Sequence, residues 1–313
     1  MFFAFAAAAL VPAVFVCGAL YVYTVAFYAD RKCVKMPYIP EGNPGIKIAP
    51  ERISYLINDI SRTAHEDVYI FSRDGLKLCG KYYHFADGAP LDIQFHGYRS
   101  LSCRDLCGGF RISRDMGHNI LLVDERAHGN SEGHVISFGI KERYDCMDWV
   151  NYAVERFGEK QKIILVGVSM GASTVLMASS LALPDNVVGI IADSAYTSPR
   201  DIILKVGADR KIPPYLVLPL AKAGAKIFGH FDLCESSALC EVEKCKMPVL
   251  FIHGDEDFFV PSYMSRKIYD ACASEKRMTI LPNSGHCAGY IFNTQRYIKE
   301  IRDFSNYVLS RGA

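Results

Sequence analysis

An α/β architecture is predicted by this sequence: a mostly parallel central sheet with helices on both faces and a small helical cap. Three observations carry the prediction. Short apolar runs alternate with stretches long enough to hold a helix, the signature of strand-helix-strand units. One run, "KIILV", leads through "GVSMG" into the helix-like "MGASTVLMASSLAL", so a serine sits between two glycines at a strand-to-helix corner. Finally, the interval between "VVGIIADS" and "MPVLFIHG" is too long for a simple crossover and contains "KIPPYLVLPLAKAGAKIFGHF", which reads as a helical cap at 195–246.

Taken in order, the chain opens with Met1 to Ala29, which holds no charged side chain. A bilayer core is spanned by roughly 20 apolar residues, and the run lacks the basic start and short apolar core of a cleaved signal. It is predicted to be an uncleaved membrane anchor over 1–29, with Tyr21, Tyr23 and Tyr28 as interfacial aromatics. Arg31, Lys32 and Lys35 follow, and a basic flank places that side, and the catalytic domain, in the cytoplasm. Residues 30–50, rich in proline and glycine, form a connector, and the catalytic domain occupies 51–313. Within it "EDVYIF" and "LKLCGKYYHF" make an antiparallel pair turning at Asp74 and Gly75. "LDIQF", "NILLV", "KIILV", "VVGIIA", "MPVLFIHG" and "RMTILP" supply the remaining strands, and the stretch from Asn293 to Leu309 repeats apolar residues at helical spacing.

Composition narrows the function. With 313 residues, a formal net charge of +1 and no basic block or arginine stripe, the chain offers nothing for nucleic acid. Eleven scattered cysteines, an odd number, fit reduced thiols and not a disulfide framework. Cys234, Cys240 and Cys245, like Cys103 and Cys107, have no accompanying histidine pair to complete a zinc site. No metal and no cofactor is expected.

The corner at Ser169 does suggest chemistry. So tight a turn forces its central residue into a strained backbone conformation and brings chain segments together, and Gly167 and Gly171 relieve the crowding by lacking a Cβ. A serine hydroxyl is a poor nucleophile near neutral pH and needs a base, and a third group to orient that base. His286 in "NSGHCAGY", after the last strand, is the candidate base. Asp255, Glu256 and Asp257 share the loop after "VLFI", and all three are candidates for the acid.

Together these segments resemble the α/β-hydrolases. "GVSMG" is similar to their nucleophile elbow, "HGDEDFFVP" to a His-Gly-x-x-Asp-x-x-Val-Pro segment, "FHGYRS" to the oxyanion loop, and "DERAHGNSEG" to an Asp-x-Arg-Gly-His-Gly-x-Ser loop in which Ala127 stands where many relatives carry glycine. The likeness runs from about Asp67 to the C-terminus and is nearest to bacterial, often membrane-anchored members related to the serine aminopeptidase and prolyl-oligopeptidase groups. It implies Ser169, Asp257 and His286 as a catalytic triad, with Asp255 as a turn former, and the backbone N–H groups of Tyr98 and Met170 as the oxyanion hole. Asp124, Arg126 and His128 are expected to hold their loop together.

The expected function is a serine hydrolase that cleaves a carboxylic ester or thioester through an acyl-enzyme, on a small-molecule acyl substrate. A membrane-anchored peptidase or amidase acting on a peptide substrate is the alternative; it calls for a carboxylate that recognises a free amine, and Asp201, Asp209, Glu235 and Glu241 of the cap are the acids at hand. A non-catalytic binding protein is opposed by the complete set of serine, aspartate and histidine, and a dehalogenase by a serine where its aspartate would stand. Tyr215, Leu216, Val217, Leu218 and Leu220 give the cap an apolar segment suited either to an acyl chain or to packing on the core.

Overall fold

The computed structural model describes residues 2–30 and 50–311, with side chains from residue 12 to 30 and from 51 to 311. Eight strands form one sheet in the order β1-β2-β4-β3-β5-β6-β7-β8. β1 (Glu66–Phe71) and β2 (Lys77–Tyr83) form the expected antiparallel pair around Gly75, whose φ of 83° suits a glycine. β3 (Leu91–Phe95), β4 (Asn119–Val123), β5 (Ile163–Val168), β6 (Val187–Asp193), β7 (Val249–Gly254) and β8 (Lys276–Leu281) then run parallel.

β3, β4, β5 and β7 are buried along their whole length, which explains why they read as unbroken apolar runs. Their side chains alternate between two helical layers. Ile164, Val166, Ile191, Leu250 and Ile252 face one cluster, which is completed by Ile112 of α4 (Cys107–Asp115) and by Tyr297, Ile301 and Phe304 of α12 (Thr294–Ser310). Leu165, Ile190, Val249 and Phe251 face the other, with Trp149 of α5 (Glu142–Phe157), α6 (Met170–Ala178) and Ile268 of α10 (Tyr263–Ala271). Leu181 and Leu183, whose spacing fits α6, lie beyond its end. The cap consists of α7 (Pro199–Asp209), α8 (Pro214–Ile227), the short α9 (Ala238–Glu241) and a 3-10 turn at Val242–Lys244.

A helix not among the elements expected above, α2 (Pro50–Arg62), precedes β1 and buries Leu56 and Ile60 against Phe110 and Tyr83. Short helices α3 (Ser102–Asp105) and α11 (Gly289–Phe292) complete the fold. The connector, Arg31, Lys32 and Lys35 lie outside the described residues.

The N-terminal segment is helical, α1 (Phe2–Ala26), and among the described residues no helix is long and apolar enough to cross a membrane. Its second half folds onto the domain. Ala19, Phe27 and Ala29 are buried, and Phe27 sits edge-on to Phe138 and Phe231 at 5.8 and 5.3 Å. Past the helix the Ala29 N–H donates to His134 O at 2.8 Å and the Ile136 N–H to Phe27 O at 2.8 Å. Against α8 the backbones meet closely: a Cβ on Gly224 would lie 2.6 Å from Ala19 O. Apolar side chains that could have met lipid have met protein, because burial is rewarded equally by either.

Candidate active site

The elbow is built as its sequence requires. Ser169, between β5 and α6, has φ 55° and ψ −112°, a region that costs a non-glycine residue about 1–3 kcal/mol. The neighbouring glycines are not at positive φ; they are needed for space, since a Cβ on Gly171 would collide with Phe95 O and one on Gly167 with Gly171 O. The Ser169 N–H donates to Asp193 O at 2.8 Å, and the Gly171 N–H to His96 O at 3.0 Å, so the ends of β6 and β3 hold the corner.

Three residues far apart in the chain meet there. His286 Nε2 lies 2.9 Å from Ser169 Oγ, and Nδ1 lies 2.6 Å from Asp257 Oδ2. All three are buried, whereas Asp255 and Glu256 point to solvent. The turn after β7 makes that choice: the Phe259 and Val260 N–H groups donate to Asp257 Oδ1 at 3.0 and 2.8 Å and draw its carboxylate inward. His253 opens the "HGDEDFFVP" segment, though nothing in the sequence assigns it a contact, and it adds a further tie. Its Nε2 is 3.1 Å from Asp257 Oδ2 and 2.7 Å from Val260 O, two acceptors that fix the proton on that nitrogen, and its Nδ1 is 2.7 Å from Ser265 Oγ. The fixed histidine of the segment, four residues before the acid, is the signal that could have found it.

Electrostatics follow from this packing. Burial pushes the His286 imidazole down, but Asp257, by its charge and hydrogen bond, and more weakly Asp193 and Asp105 outweigh it, and the ring titrates above its ordinary value. Burial pushes the Asp257 carboxyl up, but the charge of His286 and the bonds from His253 and His286 hold it well below the carboxylate range. Asp193, equally unmarked in the sequence, is fully buried and pushed up by desolvation, while Tyr297 Oη donates to it at 2.8 Å.

The loop carrying Tyr98 leans on the nucleophile: a Cβ on Gly97 would stand 3.3 Å from Ser169 Cβ. His128 supports this loop, its Nε2 accepting from the Arg99 N–H at 2.9 Å while its Nδ1 donates to Arg126 O at 2.8 Å. Burial, with His96 beside it, pulls His128 down to about 3 and keeps the ring neutral for that role. Asp124 and Arg126 are likewise occupied, Asp124 by Ser102 and the Asn130 N–H, Arg126 by Asp74 and Asp145. Ala127 takes φ 63°, a conformation that a glycine adopts without strain.

Two contacts join the same loop to the N-terminal helix. Tyr98 Oη donates to Ala26 O at 2.8 Å, and Arg99 Nη2 donates to Val25 O and Tyr28 O at 2.9 and 2.7 Å, a cation on the carbonyl end of α1. Met170 opens α6, and its N–H belongs to the first helical turn, where donors have no partner within the helix.

Comparison with known proteins places this geometry. A family model for the alpha/beta hydrolase fold matches residues 110–225, and one for serine hydrolase (FSH1) matches residues 194–288. YqkD of Bacillus subtilis is 29% identical over 61% of this chain, and the "Uncharacterized membrane protein YNL320W" of Saccharomyces cerevisiae is 29% identical over 61%. The matches span 63% and 62% of those relatives' own length. Among solved structures, the Pyrococcus furiosus esterase Pf2001 superposes with a TM-score of 0.66 at 20% identity, covering 90% of this chain and 98% of that one. Sheet order, elbow and family models agree on the α/β-hydrolase fold, and the chain is similar to serine hydrolases of that fold over residues 194–288.

Proposed function

We propose that the protein hydrolyses a carboxylic ester or thioester through an acyl-enzyme, with Ser169 as nucleophile, His286 as base and acid, and Asp257 as its orienting partner. The observation that carries this is the position of His286, within hydrogen-bond reach of Ser169 Oγ on one side and Asp257 on the other. As Oγ bonds to the acyl carbon its proton passes to Nε2, and the carbonyl oxygen takes up negative charge opposite the N–H groups of Tyr98 and Met170. The bond to the leaving oxygen or sulfur then breaks and that atom takes the proton from Nε2. A water repeats the sequence on the acyl-enzyme, giving its proton to Nε2, and the carboxylic acid leaves as Oγ is reprotonated. Desolvated Asp257 holds Nδ1–H in place and stabilises the imidazolium formed in between.

The cap acids favour an ester over an aminopeptidase substrate. Asp201 accepts from Thr197 Oγ1 at 2.7 Å, Asp209 pairs with Lys205, and Glu235 and Glu241 pair with Arg143, so none of these four is left to receive a substrate amine. The esterase named among the structural neighbours fits the same reading. Membrane attachment through the N-terminal segment, with the domain on the cytoplasmic side, belongs to it as well, supported by the uncharged run from Met1 to Ala29 and by a yeast relative named as a membrane protein. Because α1 is packed on the domain from about Gly18 onward, it is the first half of the helix that would meet lipid, and the domain would lie against the membrane surface. Ser169→Ala is expected to abolish both ester turnover and labelling by a fluorophosphonate in a protein that still melts cooperatively. Undiminished labelling of that variant would remove Ser169 from the mechanism.

A further inference from the structure

Two cavities meet at Ser169, and they differ in character. One, of about 120 Å³, carries His286, Arg104 and Asp105 on a wall that also includes Leu56, Val168 and Ile291. The other, of about 230 Å³, is lined mainly by apolar side chains: Val22 and Val25 of α1, Ile203 and Val206 of α7, and Val217 of α8. The polar groups on this second wall are few. Tyr196 Oη donates to Phe138 O at 3.0 Å, Arg99 Nη2 is held by the carbonyls of Val25 and Tyr28 while its Nε is buried without a partner among the described residues, and Arg210 is exposed.

The proton path decides which part of a substrate enters which cavity. The leaving oxygen must take its proton from His286 Nε2, and so it must lie on the side where His286 stands. His286 lines the smaller cavity and not the larger. The alcohol therefore occupies the smaller cavity, where Arg104 Nη1 is buried without a hydrogen-bond partner among the described residues and Asp105 already accepts from Gly97 N–H and Ser100 Oγ. The acyl portion is left the larger, apolar one.

We propose that the larger cavity is an acyl-chain pocket, that α1 is one of its walls, and that the substrate is an ester joining an extended apolar acyl chain to a polar alcohol. The inference rests on the hydrolase reading above and adds the substrate class. It also gives the N-terminal helix a second role, because Val22 and Val25 help set how long a chain is accepted.

The test is a series of p-nitrophenyl esters from acetyl to decanoyl, which share one leaving group, assayed on the full chain. Each methylene taken into the pocket is worth about fourfold in kcat/KM, so the octanoyl ester, six methylenes longer, is expected to exceed the acetyl ester by about three and a half orders of magnitude. Val22→Trp, which fills the pocket from α1, and Val206→Trp, which fills it from α7, should each lower the octanoyl-to-acetyl ratio at least about tenfold. Val14→Trp, on an exposed part of α1 outside the pocket, should leave that ratio as it is in the parent chain. Active sites counted by fluorophosphonate labelling normalise the rates, and if one pocket variant fails to fold, the variant on the opposite wall carries the test. Turnover of the acetyl ester with a flat chain-length profile, or a ratio untouched by both pocket variants, would overturn the acyl-pocket assignment alone. Absence of labelling and of turnover on every ester would overturn the hydrolase reading on which it depends.

Discussion

At Asp257 a single carboxylate accepts from two histidines and two backbone N–H groups, and its neighbours Asp255 and Glu256 stand in water. Asp257→Asn is therefore expected to lower kcat by about 10⁴ through the wrong histidine tautomer, while Asp255→Asn stays within a few-fold. Steady-state kinetics of the two variants decide it, and the reverse ranking would move the acid to Asp255. The raised pKa of His286 sets a second expectation. A base whose pKa is raised stays protonated to higher pH, so kcat/KM should climb through a limb above 6.5, the ordinary imidazole value, with no carboxylate limb near neutrality because Asp257 is ionised far below it. A pH–rate profile centred at or below 6.5 would contradict this electrostatic balance. Sequence alone leaves three acids in one loop; the motif points to Asp257, and the physical reason lies in the turn, whose N–H groups face inward only at that residue. His253 stands in the same segment as Asp257, and only the structure shows that the two side chains meet; Asp193 is illegible because its partner Tyr297 is distant along the chain.

At the scale of elements, every strand is legible, because fully buried parallel strands write themselves as short apolar runs. The elbow is legible through its two glycines. Gly171→Ala should cost about 3 kcal/mol or more, since the new methyl would strike the backbone at Phe95 and not a side chain able to turn away; calorimetry of the variant checks this, and an unchanged Tm would refute it. Helix α2 is absent from the elements expected above although its pattern is in the chain: Ile53, Leu56, Ile57 and Ile60 recur at helical spacing, directly after a stretch whose prolines and glycines read as linker. The partner surface, Phe110 and Tyr83, shows what that stripe packs against.

For the whole molecule, composition says that Met1 to Ala29 avoids water, but not what replaces the water. Lipid is the expectation from sequence; for the second half the answer is the enzyme's own cap. If the first half does sit in a membrane with the domain in the cytoplasm, a membrane-impermeant thiol reagent should leave the exposed Cys234 and Cys240 unmodified in intact cells and modify them rapidly after lysis. Modification in whole cells would turn the domain outward. Either way, the hydrogen bonds from Tyr98 and Arg99 to the carbonyls of Val25, Ala26 and Tyr28 tie the N-terminal segment to the loop that stands against Ser169. Whatever the first half of the helix meets, its second half is a brace for the wall of the candidate site.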